Sequence, residues 1–127
     1  MTSLYDHATY AEIKSQTDAW AQALAVTRSA SLPDAKNYEQ VIFTGCGSTY
    51  YLSLTAAALY QELTGRIARA IPGGELLLNS QTVLTSQKTL LVAISRSGTT
   101  TETVRAVEKF KNDKRGDVVV ISNYDEV

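Results

Sequence analysis

The chain has 127 residues, 44% of them hydrophobic and 20% charged, the proportions of one ordinary soluble globular domain. At that size roughly two thirds of the unfolded surface is buried on folding, enough for a core without staples. The net charge of -1 and the single cysteine, Cys46, exclude an internal disulfide, a multi-cysteine metal site and a broadly basic nucleic-acid surface, and they suit a reducing, cytoplasmic setting.

In chain order, residues 1–6 have neither the basic nor the apolar region of a leader peptide, and no run approaches about 18 apolar residues, so no membrane association is expected. Tyr10, Ile13, Thr17, Trp20 and Leu24 recur at steps of 3 and 4. That period predicts an amphipathic helix ending near Arg28, with Trp20 as a core or interface anchor and His7 as a surface residue before it. Residues 31–34, which include Pro33, break the helix. Val41, Ile42 and Phe43 form a short apolar strand that runs into Gly45-Cys46-Gly47. The next segment, 50–63, is apolar almost all round, which predicts a largely buried helix with Gly65 as its C-terminal cap. Residues 66–71 alternate as an outer strand does, Pro72-Gly73-Gly74 ends them, and a short helical stretch is expected around 75–78.

Residues 89–94 are a continuous apolar run of strand length. A helix from Thr100 to about Lys111 would turn Val104, Val107 and Phe110 inward, with Lys109, Lys111, Lys114 and Arg115 near its end as dipole-complementing cations, and 117–121 make a last strand. Strands that are uniformly apolar and alternate with helices predict an α/β fold, a three-layer αβα sandwich around a parallel sheet covered on both faces. There is no internal repeat. The chain stops a few residues past the fourth strand, where a doubly wound domain would continue, so a truncated piece of a longer protein is expected.

In such sheets ligands bind beyond the carboxyl ends of the strands, where helix N-termini converge. Two strand-to-helix loops stand out. The second, Ser95-Arg96-Ser97-Gly98-Thr99-Thr100, gathers hydroxyl donors where free backbone N–H groups and a helix dipole already favour an anion. Ser95, Ser97 and Thr100 can each donate to a phosphate oxygen, Gly98 permits close approach, and Arg96 adds charge. Thr99 and Glu102, three residues apart, also predict a capping box on the following helix. The first loop, Gly45-Cys46-Gly47-Ser48-Thr49, lacks a dinucleotide fingerprint, since Tyr50 stands where a third glycine is needed, and no nucleotide P-loop occurs anywhere. Cys46 reads as a small buried hydrophobe, because the only histidine, His7, is remote.

These residues resemble the SIS (sugar isomerase) family, the double-SIS proteins in particular, over nearly the whole chain. The most specific element is the run from Ile94 to Thr100, similar to the family's Ser-X-Ser-Gly-X-Thr phosphate loop. The resemblance implies a flavodoxin-like SIS fold, with residues 1–35 as N-terminal helix and linker and 36–127 as an incomplete SIS domain. It implies that Ser95, Ser97 and Thr100 hold a sugar phosphate, with backbone contact at Arg96 and Gly98. Gly47, Ser48 and Thr49 would line the sugar side, with Glu75 supporting the site. It further implies the N-terminal half of a phosphosugar aldose–ketose isomerase or deaminase, whose catalytic base lies outside this chain. No catalytic residue, metal or cofactor is therefore expected in it. A sugar-phosphate sensor attached to a DNA-binding module is the competing reading, weakened by the lack of a basic recognition helix in residues 1–40. A non-catalytic scaffold is another. An exposed sheet edge and an all-apolar helix predict a homo-oligomer.

Overall fold

The structure, a computed structural model, describes residues 7–124. The readings of the first six residues and of the chain's last three lie outside the described part. The chain divides into two compact units, Met1–Leu32 and Pro33–Val127.

The first unit holds α1 (Ala8–Lys14) and α2 (Gln16–Ser29). The single helix expected from Tyr10 to Arg28 is interrupted at Ser15, whose hydroxyl donates to the Glu12 carbonyl at 3.1 Å and so competes with the regular helical ladder. No residue of either helix is buried, and Trp20 is 61% exposed, so of the core and interface roles expected for it the core one does not hold.

In the second unit a 3-10 turn (Ala35–Asn37) leads into β1 (Gln40–Gly45), α3 (Ser48–Thr64), β2 (Ala68–Pro72), α4 (Gly73–Leu78), α5 (Ser80–Val83), β3 (Thr89–Ile94), α6 (Thr101–Asn112) and β4 (Gly116–Ile121). The four strands form one parallel sheet in the order β2-β1-β3-β4, so the α/β expectation holds. β1 and β3 are buried at every residue, which is why both read as unbroken apolar runs.

Alternate residues of these strands feed two cores. Val41, Phe43, Leu90, Val92 and Ile94 pack with Ala57 and Tyr60 of α3 on one face. Ile42, Leu91 and Ile71 pack with Leu76 of α4 and with Ala106 and Phe110 of α6 on the other. Burying a side chain such as Phe110, 1% exposed, contributes about 1.5–3 kcal/mol.

Two helices depart from expectation. α3 buries only Ser53 and Ala57, while Tyr51, Leu52, Leu59 and Leu63 are exposed, because a helix laid on a sheet covers it with a single stripe. Gly65 does cap it, in the left-handed conformation. In α6 the inward stripe is Thr103, Ala106 and Phe110, with Val107 at its margin and Val104 exposed, since the helix packs against α4 as well as the sheet. Among the described residues no helix is long and apolar enough to cross a membrane.

Candidate functional site

The strand order changes direction between β1 and β3, with β2 outside one and β4 outside the other. A crevice forms at the carboxyl ends of such a pair, because the loops leaving them turn to opposite faces. β1 and β3 run parallel in register from Gln40↔Thr89 to Thr44↔Ala93, so the loops after Gly45 and Ile94 emerge side by side.

The first loop is held by Thr49. Its Oγ1 accepts from the Cys46 N–H at 2.9 Å and donates to the Cys46 carbonyl at 2.9 Å, so this hydroxyl is engaged in closing the turn. Gly47 adopts φ 56°, a region few residues other than glycine enter, and serves as N-cap of α3 without capping it through a side chain. Ser48, at the first position of α3, is exposed.

In the second loop Ser95 is buried, 3% exposed. Its Oγ accepts from the Gly98 N–H at 3.1 Å and points its own hydrogen at Thr100 Oγ1, 3.4 Å away. Gly98 is buried at φ 70°. Ser97 Oγ accepts both the Thr99 N–H at 3.2 Å and the Thr99 hydroxyl at 3.1 Å, which leaves its own hydrogen to donate outward. The Thr100 hydroxyl hydrogen is likewise uncommitted. The Arg96 side chain is exposed, while its carbonyl accepts from the Asn123 N–H at 3.2 Å and ties the loop to the segment after β4.

The capping box expected from Thr99 and Glu102 is not formed. Thr100 is the N-cap of α6, no side chain caps that helix, and Ser97 takes the Thr99 hydroxyl instead. Two uncapped N-termini, those of α3 and α6, therefore flank one crevice with hydroxyls ahead of each. At α3 the Thr49 and Tyr50 N–H groups are taken by the Cys46 and Gly47 carbonyls at 3.3 and 3.1 Å, so the partial positive charge of free first-turn N–H groups is concentrated at α6, and it makes that end an anion-binding arrangement.

Cys46, expected to be fully buried, is partly exposed. Its Sγ lies 3.4 Å from Thr103 Oγ1 on α6. Gly73, the first residue of α4, lies against the same sulfur: a Cβ there would meet Sγ at 2.9 Å. Sequence reasoning did not place Gly73 or Thr103 at this junction. The paired glycines after Pro72 read only as a strand end, and Thr103 only as a helix position. Glu75 is exposed on α4, its Oε1 accepting from Asn79 Nδ2 at 3.2 Å. A groove of about 300 Å³ runs from Ser95, Gly98 and Thr103 along Val107, Val118 and Val120, and apart from Glu108 and Lys111 its continuation is apolar. Among the described residues no group of three or more His, Cys, Asp or Glu is arranged to hold a metal.

The SIS domain family model matches residues 35–126. Over 113 residues the sequence is 27% identical to the isomerizing glutamine–fructose-6-phosphate aminotransferase of Thermococcus kodakarensis, covering 86% of this chain and 18% of that protein. The chain thus spans less than a fifth of that curated relative. Among solved structures, tagatose-6-phosphate ketose/aldose isomerase from Escherichia coli superposes with a TM-score of 0.66 at 26% identity, over 87% of this chain and 30% of the other. The C-terminal domain of glucosamine-fructose-6-phosphate aminotransferase from Francisella tularensis shares the fold with a TM-score of 0.78 at 20% identity, over 99% of this chain and 38% of that one.

Proposed function

The chain belongs to the SIS domain family, and from that membership we propose that it binds a phosphorylated sugar, with the phosphate seated on the loop from Ser95 to Thr100. One observation carries this reading: α6 begins without a side-chain cap directly behind two hydroxyls, Ser97 and Thr100, whose hydrogens are free. A phosphate there would take the first-turn N–H groups and both hydroxyls, while Ser95 and Gly98 hold the loop in shape. Ser48, exposed at the start of α3, would face the sugar, with Arg96 and Glu75 at the margins.

The protein is proposed to act within a phosphosugar isomerase or deaminase in which other sequence supplies the proton-transfer group. The crevice offers hydroxyls, backbone amides and one thiol, and proton transfer between sugar carbons needs a positioned base of suitable pKa. The apolar outer stripe of α3, with Tyr51, Leu52, Leu59 and Leu63, supports self-association in a cytoplasmic setting.

Isothermal titration tests the binding. Fructose-6-phosphate or glucosamine-6-phosphate should bind where the unphosphorylated sugars do not, and Ser97→Ala should weaken the interaction about tenfold, the worth of one hydrogen bond to a charged group. If no hexose phosphate binds, the crevice is a structural cap and the domain a scaffold. Light scattering after size exclusion tests the oligomer, and a monomer at high concentration would refute it.

A further inference from the structure

We propose that the opposite, amino-terminal edge of the sheet carries a second anion site, built from Lys88, Lys114 and Arg115 and suited to a phosphate group. The segments that precede β1, β3 and β4 meet there around an open cleft of about 440 Å³, lined by those three cations together with Ser86, Glu39 and Asp113. Six-residue strands separate this edge from the loop of Ser95 to Thr100 by roughly 20 Å, so the two sites are independent.

The local charges favour an anion. Glu39 Oε2 accepts the Lys88 N–H at 2.7 Å and keeps its charge, whereas Asp113 is paired with Lys109 at 3.3 Å, so three cations stand against one unpaired carboxylate. The cations are less committed. Lys88 Nζ rests over the Tyr38 ring, 4.9 Å from its centroid, a contact that positions the ammonium without neutralising it. Arg115 donates from Nη1 to the Thr85 carbonyl at 3.2 Å, but its Nε is buried with no hydrogen-bond partner. Arg115 lines the cleft, and among the described residues no carboxylate pairs with its guanidinium, whose remaining donors suit an oxyanion.

Lys114 supplies a separate argument. It closes α6 at φ 51°, with its N–H on the Lys111 carbonyl at 3.1 Å. That is the left-handed position where helices place glycine because a side chain is strained there. Here the position carries a lysine at the mouth of a cleft that already holds two cations. Strain retained at one residue is expected where that residue's side chain has work to do. Three cations around one opening suit a phosphate, with its charge near -2, better than a single carboxylate.

Backbone-amide NMR of the full chain, titrated with inorganic phosphate against sodium chloride of equal ionic strength, tests the site. The amides of Ser86, Lys88, Lys114, Arg115 and Gly116 should shift with phosphate and not with chloride. Shifts at Ser95–Thr101, if they occur, report the other site and are read separately. Arg115→Gln should weaken binding at the amino-terminal edge about tenfold. Lys114→Gly should weaken it as well while making the protein no less stable, since it relieves the strained position; this variant decides the matter if Arg115→Gln does not fold. Equal shifts with chloride, no shift at these amides, or unchanged phosphate shifts in Lys114→Gly would overturn the proposal.

Discussion

Cys46 Sγ lies 3.4 Å from Thr103 Oγ1, and this contact joins the loop leaving β1 to the first turn of α6. The sulfur also lies against Gly73 at the start of α4, so it touches two helix starts. Position 73 therefore has no room for a side chain against this sulfur.

That packing predicts a coupled pair of substitutions. Gly73→Ala should destabilise the domain by about 1–3 kcal/mol, the usual cost of overpacking. Cys46→Ala in the same chain should recover most of the loss, since the next neighbours of the new methyl lie at 3.6 and 3.7 Å, ordinary contact distances. Urea denaturation of the two single variants and the double variant measures the coupling, and strictly additive effects would show that the sulfur is not the obstacle.

The first loop depends on one hydroxyl. Thr49→Val leaves the Cys46 N–H without its partner, while the Cys46 carbonyl keeps the Thr49 N–H at 3.3 Å, and should cost about 1–3 kcal/mol, whereas Thr49→Ser should stay close to the parent. Matching losses in both variants would assign the effect to the methyl group instead.

In the second loop, Gly98→Ala and Ser97→Ala should separate shape from contact. Gly98→Ala forces a side chain into φ 70° and should lower stability by about 1–2 kcal/mol, along with any sugar-phosphate affinity. Ser97→Ala, at a half-exposed position, should lower affinity with a smaller change in melting temperature. Calorimetry with and without fructose-6-phosphate distinguishes the two, and equal loss of affinity and stability in Ser97→Ala would reduce that residue to a structural one.

Tyr38 gives the fold a dependence on alkaline pH. Its phenol donates to Asp117 Oδ2 at 2.6 Å, and that bond, followed by burial and by the carboxylate's charge, raises its pKa above the ordinary value. The neutral phenol is the form the fold favours, so its contribution is complete below about pH 10 and is lost as the pH rises through the raised value. Tyr38→Phe should cost about 1 kcal/mol at neutral pH, and its stability should converge with the parent's in strong alkali. Both chains keep the ring under Lys88, so the difference isolates the hydroxyl. A gap that stays constant to high pH would refute the assignment.

The elements of the second unit were legible because their patterns are local. Residues 89–94 are a strand on sequence and in the fold, and Gly65 is a cap in both. The same local logic failed where a side chain had two possible partners. Thr99 and Glu102 have the spacing of a capping box, yet Ser97, two residues from Thr99, captures the threonine hydroxyl. Val104 fits the apolar period of α6, but the approach of α4 rotates the buried stripe to Thr103 and Ala106. Gly73 carried no visible sign of its role, since what excludes a side chain there is a sulfur 27 positions earlier in the chain.

By itself the sequence determined the α/β class, the two glycine- and hydroxyl-bearing loops and the family they resemble, since strand apolarity and loop composition are properties of neighbouring residues. Only the tertiary structure decided the rest. The pairing of β1 with β3 set the two loops side by side, each leading into a helix that no side chain caps. The meeting of three strand beginnings gathered Lys88, Lys114 and Arg115 at the far edge. Which residues share a crevice depends on strand order and register, and these are settled by long-range packing that no local stretch of sequence records.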